Sequence, residues 1–94
     1  MKFADLHIHS VFSDGLPTAR RLAERIYSIP DLTFFALTDH DTLSGIEPMF
    51  RAICRMEVKD KFPPRKFVPG VELSLIEPET SMAVHLLGYF PWLT

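Results

Sequence analysis

The chain has 94 residues, 47% of them hydrophobic, and a formal net charge of −2 at neutral pH. That length holds one small domain at most, taken as residues 1–94. The near-neutral charge excludes nucleic-acid binding by charge alone, so a nucleic-acid substrate would have to be held by metals and local contacts. Charged residues interrupt every apolar run short of membrane-spanning length, so no membrane partner is expected. The lone cysteine, Cys54, rules out an internal disulfide and reads as a small buried apolar residue. Met1-Lys2-Phe3-Ala4 passes straight into the first strand and leaves no room for a signal peptide, which makes a cytoplasmic setting the expectation.

Phe3 to Ile8 reads as the first strand. In Asp5-Leu6-His7-Ile8-His9-Ser10, side chains two apart point the same way. Asp5, His7 and His9 therefore share one face, and Leu6 and Ile8 form a buried back face. Ser13-Asp14-Gly15 is a turn signal. Pro17 suits the first turn of a helix. Ala19, Leu22, Ala23, Ile26 and Tyr27 follow at helical spacing, with Arg20, Arg21, Glu24 and Arg25 on a solvated face opposite. Pro30-Asp31 ends that helix. The short apolar run Phe34-Phe35-Ala36-Leu37 predicts a buried parallel strand, which stops at Thr38-Asp39-His40-Asp41-Thr42.

A second helix starts near Gly45 to Glu47, because Pro48 is tolerated only in a first turn. Ile46, Met49, Phe50, Ile53 and Cys54 make its buried stripe, and Pro63-Pro64 closes the segment. Lys66 to Ile76 contains a third strand. Pro69-Gly70 interrupts its start, so the regular part is expected over Val71 to Leu75. After the turn Glu77-Pro78-Glu79-Thr80, Met82 to Tyr89 is a fourth strand. It carries Val84, Leu86 and Gly88 on one face and His85, Leu87 and Tyr89 on the other, in a hairpin with the third. The order β-α-β-α-β-β predicts an α/β fold with a largely parallel sheet.

In parallel α/β folds, reactive groups gather at the carboxyl ends of the strands. His7 and His9 lie there, followed by Asp14 in the next loop. Asp39, His40 and Asp41 end the second strand, Glu72 lies in the third and His85 in the fourth, so all four histidines are accounted for. Imidazole and carboxylate together suit zinc, iron or manganese. Each residue also has a plainer reading. Asp14 can bond its own turn, and Asp39 and Asp41 can cap the second helix, which for Asp41 is the better reading. His85 can be a satisfied core histidine. Glu72 lies between apolar neighbours, where a buried carboxylate needs a cation partner.

These residues resemble the PHP family, the polymerase and histidinol phosphatase superfamily. Asp5-Leu6-His7-Ile8-His9-Ser10 with Phe12-Ser13-Asp14-Gly15 is similar to its first motif, and Leu37-Thr38-Asp39-His40-Asp41-Thr42 to its second. Gly70-Val71-Glu72-Leu73-Ser74 with His85-Leu86-Leu87-Gly88-Tyr89 is similar to its third. The motifs come in the family's order across almost the whole chain. Their tight spacing resembles the stand-alone phosphoesterases more than the polymerase-attached domains.

The resemblance implies the amino-terminal portion of a distorted (β/α)7 barrel holding up to three metal ions. By position, His7, His9 and Glu72 would bind the first, Glu72 and His85 the second, and Asp14 and His40 the third. Glu72 and His40 would be the catalytic residues. The implied reaction is hydrolysis of a phosphate ester, of a nucleotide, oligonucleotide or other small phosphate monoester, by a metal-bound hydroxide. A complete family barrel is longer, and its later strands supply another histidine and an Asp-x-His pair that have no counterpart here. Each metal would then lack at least one protein ligand. The open sheet edge calls for self-association or a further carboxy-terminal segment. Two other functions fit the same motifs: a non-catalytic metal-binding or interaction fragment, and a metal-dependent hydrolase of another bond such as an amide.

Overall fold

The computed structural model describes residues 2–10, 12, 17–76 and 78–91. The elements run β1 (Phe3–Ile8), α1 (Ala19–Tyr27), β2 (Leu32–Leu37), α2 (Ile46–Cys54), a π-helical turn (Arg55–Lys59), β3 (Lys66–Ile76) and β4 (Ala83–Tyr89). The sheet order follows the chain, β1-β2-β3-β4. β1 and β2 are parallel, as are β2 and β3, while β4 returns antiparallel to β3. The fold is the mixed α/β, mostly parallel arrangement that the sequence predicts. The sheet curls far enough for the Tyr89 hydroxyl at the end of β4 to donate to the Leu6 carbonyl of β1, at 2.8 Å.

The five apolar positions of α1 are all buried. Thr18 caps the helix through its hydroxyl, which accepts from the Arg21 N–H at 3.3 Å. The opposite end is held by Arg65. Its guanidinium donates to the carbonyls of Ile29 (3.1 Å), Leu32 (3.0 Å), Tyr27 (3.2 Å) and Ile26, and lies 4.5 Å from the centre of the Tyr27 ring. A cation at a helix carboxyl end also faces the negative pole of the helix. Tyr27 donates to Glu57 of the π-helical turn. Burial raises the Tyr27 pKa most, the bond to Glu57 and its charge raise it further, and the Arg65 charge lowers it; the net shift is upward.

One core lies between the helices and the sheet, formed by Leu22, Ile26 and Tyr27 against Phe35, Leu37, Met49 and Phe67. Phe67 packs on Phe35 and on Phe50, with ring centres 5.1 Å apart in both pairs. α2 starts at Ile46, so Pro48 does fall in the first turn. The buried line along this helix is Met49 and Ala52, continued by Met56 in the π-helical turn and flanked by the half-buried Ile46, Phe50 and Ile53. Cys54 is exposed, which corrects the expectation of a buried thiol. Two residues past Ala52, it lies about 200° around the helix axis from it.

β3 corrects a second expectation. It runs unbroken from Lys66 to Ile76, straight through Pro69-Gly70. Its first part pairs with β2, ending at Leu37 opposite Pro69, and its second part pairs with β4, starting at Gly70 opposite Tyr89. The missing proline N–H therefore falls where one ladder hands over to the other. The Pro69 carbonyl stays in use and accepts from Phe90 N–H at 2.8 Å. β1 corrects a third, since Leu6 is exposed and only Ile8 of the proposed back face packs on the core. β1 is an edge strand of the sheet, and the core cluster does not include Leu6. Among the described residues no helix is long and apolar enough to cross a membrane.

Candidate metal centre

Glu72 sits in the second part of β3, where Thr38 to Asp41 continue beyond β2 and run alongside it. The Glu72 N–H donates to the Asp39 carbonyl at 3.0 Å, and the Asp41 N–H donates to the Glu72 carbonyl at 2.8 Å. These bonds form a parallel bridge that sets His40 directly beside Glu72. On the other side, Glu72 faces Leu87 and Ser74 faces His85 across the antiparallel ladder. Partners across a ladder share a face, so His85 lies diagonally next to Glu72 on the same face. The β1 end supplies His7 and His9 from a third direction.

All four histidines meet on this one carboxylate. Glu72 is only 2% exposed. Its Oε1 meets His7 Nε2 and lies 3.2 Å from His9 Nε2. Its Oε2 lies 3.1 Å from His40 Nδ1 and 2.7 Å from His85 Nδ1. The rings form a continuous row, with centres 4.9 Å apart for His7 and His9, 4.4 Å for His9 and His40, and 5.6 Å for His40 and His85. The inner histidines are sheltered, with side chains 18% (His9) and 24% (His40) exposed, whereas His7 (53%) and His85 (56%) stand at the rim. Burial pushes the Glu72 carboxyl up. The His7 hydrogen bond and the charges of His40, His7 and His85 outweigh it, and the net shift is below the ordinary carboxylate value.

The donor set fits a metal. Among the described residues, His7, His9 and Glu72 form one trio and His40, Glu72 and His85 another, with the donor atoms of each trio within 4.8 Å of one another. Ligand atoms about 2.0–2.2 Å from a tetrahedral zinc stand roughly 3.3–3.6 Å apart. Either trio would therefore have to open its short imidazole–carboxylate contact and draw in its more distant atoms to surround an ion. Glu72 belongs to both, so its two oxygens can serve two ions at once. His40 stands with Glu72 and His85, whereas the family resemblance groups it with Asp14, which lies outside the described residues.

Among the described residues, Asp5, Asp39 and Asp41 each accept a backbone N–H bond near the cluster. Asp5 accepts from the His7 N–H at 3.1 Å. Three residue steps of β1 match two of β2 between Asp5 and Ile8, a bulge past which His7 and His9 still reach the same Glu72 oxygen, as their shared face predicts. Asp39 is 1% exposed and accepts from both the N–H and the hydroxyl of Ser10, each at 2.5 Å. Neither Asp39 nor Asp41 caps α2, whose cap is Gly45 with no side-chain bond. Asp41 takes a left-handed backbone, φ 54°, and its carboxylate accepts from Ser74 N–H at 2.8 Å. That bond is the main cause of a lowered Asp41 pKa. Ser10 and Gly45 carry no role in the sequence reading. The available signal was position, since Ser10 directly follows His7-Ile8-His9 and a serine there can reach the next strand.

No protein-family model matches the chain. An error-prone DNA polymerase from Mycolicibacterium paratuberculosis is 39% identical over 75 residues, which is 78% of this chain and 6% of the polymerase. The 5'-3' exoribonuclease Rnm of Escherichia coli is 33% identical over 84 residues, 89% of this chain and 26% of the enzyme. A crystal structure assigned as a metal-dependent phosphoesterase from Bifidobacterium adolescentis superposes with a TM-score of 0.73 at 30% identity, covering 94% of this chain and 27% of that one. The chain thus spans about a quarter of the exoribonuclease and the phosphoesterase, and a much smaller share of the polymerase.

Proposed function

The chain is a homologue of the PHP phosphoesterases, and from that premise we propose that it carries the metal-binding part of a site that hydrolyses phosphate esters. The observation that carries this reading is Glu72, a buried carboxylate with two histidines on each oxygen. His7, His9 and Glu72 would hold one divalent metal, and His40, Glu72 and His85 a second. Asp14, by resemblance, would join His40 at a third. The nitrogen and oxygen donors suit zinc, manganese or iron. Bound there, such metals make water a nucleophile at neutral pH and offset charge on phosphoryl oxygens. The chain's own part is positioning. Glu72 fixes the spacing between the two trios, and His40 is one of the two sheltered rings, touching Glu72, His9 and His85. These two are the proposed catalytic residues.

Nucleotides or short oligonucleotides are the proposed substrates, since the similar proteins include an exoribonuclease and a DNA polymerase. Residues 1–94 are read as one unit of a PHP domain, on the strength of their single core. A cytoplasmic setting suits an exposed thiol that has no disulfide partner within the chain.

The test is metal content and calorimetric titration of the chain with zinc, manganese and iron(II), beside His7→Ala/His9→Ala and Glu72→Ala. Phosphate release from nucleoside monophosphates and short RNA is measured on the same samples. Binding that disappears in both variants supports the reading. Equal metal content in the wild type and the double variant would refute it.

A further inference from the structure

The metal centre needs His9 and His40 to stay side by side, yet they come from different strands. His9 lies one residue past β1, and His40 three residues past β2. The last described backbone bond between these strand ends joins Thr38 N–H to the Ile8 carbonyl, at 2.7 Å. Beyond it the two segments would diverge unless something else held them. Asp39, directly before His40, does so. Both of its oxygens accept from Ser10, directly after His9. The pair is sealed, with Ser10 0% and Asp39 1% exposed. Gly45 closes over it so tightly that a methyl group there would lie 2.6 Å from Asp39 Oδ2 and 3.0 Å from Ser10 Oγ.

We propose that Asp39 is a positioning residue for the metal centre: its clasp on Ser10 holds His9 and His40 at the spacing that lets each reach its own oxygen of Glu72. The inference rests on the metal-binding reading above. A carboxylate suits this task better than an amide. Both of its oxygens accept, and Ser10 offers two donors, the backbone N–H and the hydroxyl. In Asp39→Asn one of the two accepting atoms becomes a donor, so the Ser10 hydroxyl must turn from donating to accepting while it already accepts from the Phe12 N–H at 3.2 Å. The clasp then weakens on the hydroxyl side and loses its charge without any change in side-chain size. Hydrogen-bonded groups behind metal ligands commonly govern affinity by about 10- to 100-fold.

The experiment uses the 94-residue chain with cobalt(II) and zinc as probes. Affinity is measured by titration, and ligand geometry by the visible absorption of bound cobalt. Asp39→Asn breaks the clasp from one side. Gly45→Ala pushes on it from another, and Ser10→Ala removes only the hydroxyl bond. Tyr27→Phe, which loses a bond to Glu57 on the far side of the core, is the control for a general loss of stability. The expected result is a 10- to 100-fold weaker metal affinity and a changed cobalt spectrum in Asp39→Asn and Gly45→Ala. Ser10→Ala should show a smaller change in the same direction, and Tyr27→Phe neither. A wild-type chain that binds neither probe refutes the metal-binding reading itself. A wild type that binds, with clasp variants matching it in affinity and spectrum, overturns the positioning role alone. If Asp39→Asn does not fold, Ser10→Ala and Gly45→Ala decide in the same terms.

Discussion

Replacing Gly70 with alanine tests whether the handover in β3 builds half of the proposed metal centre. A methyl group at Gly70 would lie 2.9 Å from the Gly88 carbonyl oxygen, 2.9 Å from Thr38 Cγ2 and 3.2 Å from the Tyr89 ring. The first of these is backbone, so relief requires β4 to move away from β3. Overpacking of this kind costs about 1–3 kcal/mol. The smaller unfolded-state entropy of alanine returns about 0.4–1 kcal/mol. Because one clash is with backbone, the net loss should be about 1–2 kcal/mol, or a Tm lower by roughly 5–15 °C for a chain of this size. The functional consequence is directional. Moving β4 draws His85 away from Glu72 and leaves His7 and His9 in place. Thermal unfolding followed by circular dichroism gives the first number, and metal titration gives the second. Binding to the trio of His40, Glu72 and His85 should weaken, while one ion stays on His7, His9 and Glu72. A Gly70→Ala chain as stable as the wild type, or one that loses the ion on His7 and His9 first, would refute the reasoning.

Arg65→Met should cost about 2–3 kcal/mol, since it removes charge-assisted bonds to the end of α1 and a cation on the Tyr27 ring. Urea unfolding reads that loss, and metal affinity should stay within twofold. Saturating metal should stabilise the wild type: at 100 times Kd the gain is about 2.7 kcal/mol, seen as a rise in Tm that EDTA reverses. No rise with any of the three metals would count against the site. The 94-residue chain alone should degrade short RNA slowly beside Escherichia coli Rnm, because His7 and His85 are more than half exposed and a wet site loses electrostatic strength. A rate equal to that of Rnm under the same metal would show that rim exposure does not limit the chemistry.

Much of this architecture was legible because it rests on periodicity. The α1 stripe, the start of α2 beside Pro48 and the strand Phe3–Ile8 each follow from one local rule, and each lies where it was read. The misreadings share a cause, which is that tertiary pairing overrode a local rule. Pro69 breaks a strand only where a ladder needs its N–H, and here the β2 ladder ends and the β4 ladder begins one residue later. Asp41 resembles a helix cap by its position, but α2 begins five residues later, and Ser74 on β3 is the nearer donor. Cys54 fits the apolar stripe at one spacing, and the line through Met49, Ala52 and Met56 takes the core face instead. The meeting of the four histidines was readable as a shared strand end. That Glu72 is shared between two groups of histidines came only with the family resemblance, because the register of β3 against the segment after β2 sets it, and no local pattern encodes that register.

The same register explains why a carboxylate can be buried at this point at all. The Glu72 N–H and carbonyl are both taken up by the segment around His40, so its backbone carries no unmet demand. Its side chain then projects where three segments meet: the end of β1, the continuation of β2, and β4. An ionised carboxylate in such a place is costly unless cations or donors surround it. Histidine supplies both possibilities, because a protonated ring donates to the carboxylate and a neutral ring offers its lone pair to a metal that neutralises it. The four rings therefore make the buried Glu72 tolerable in the free chain by the contacts they would rearrange on loading. This follows from placing one acid at the junction of three segments that each carry histidine. It also assigns the acidic neighbours their work, with Asp39 holding the β1 side of the junction and Asp41 the β3 side.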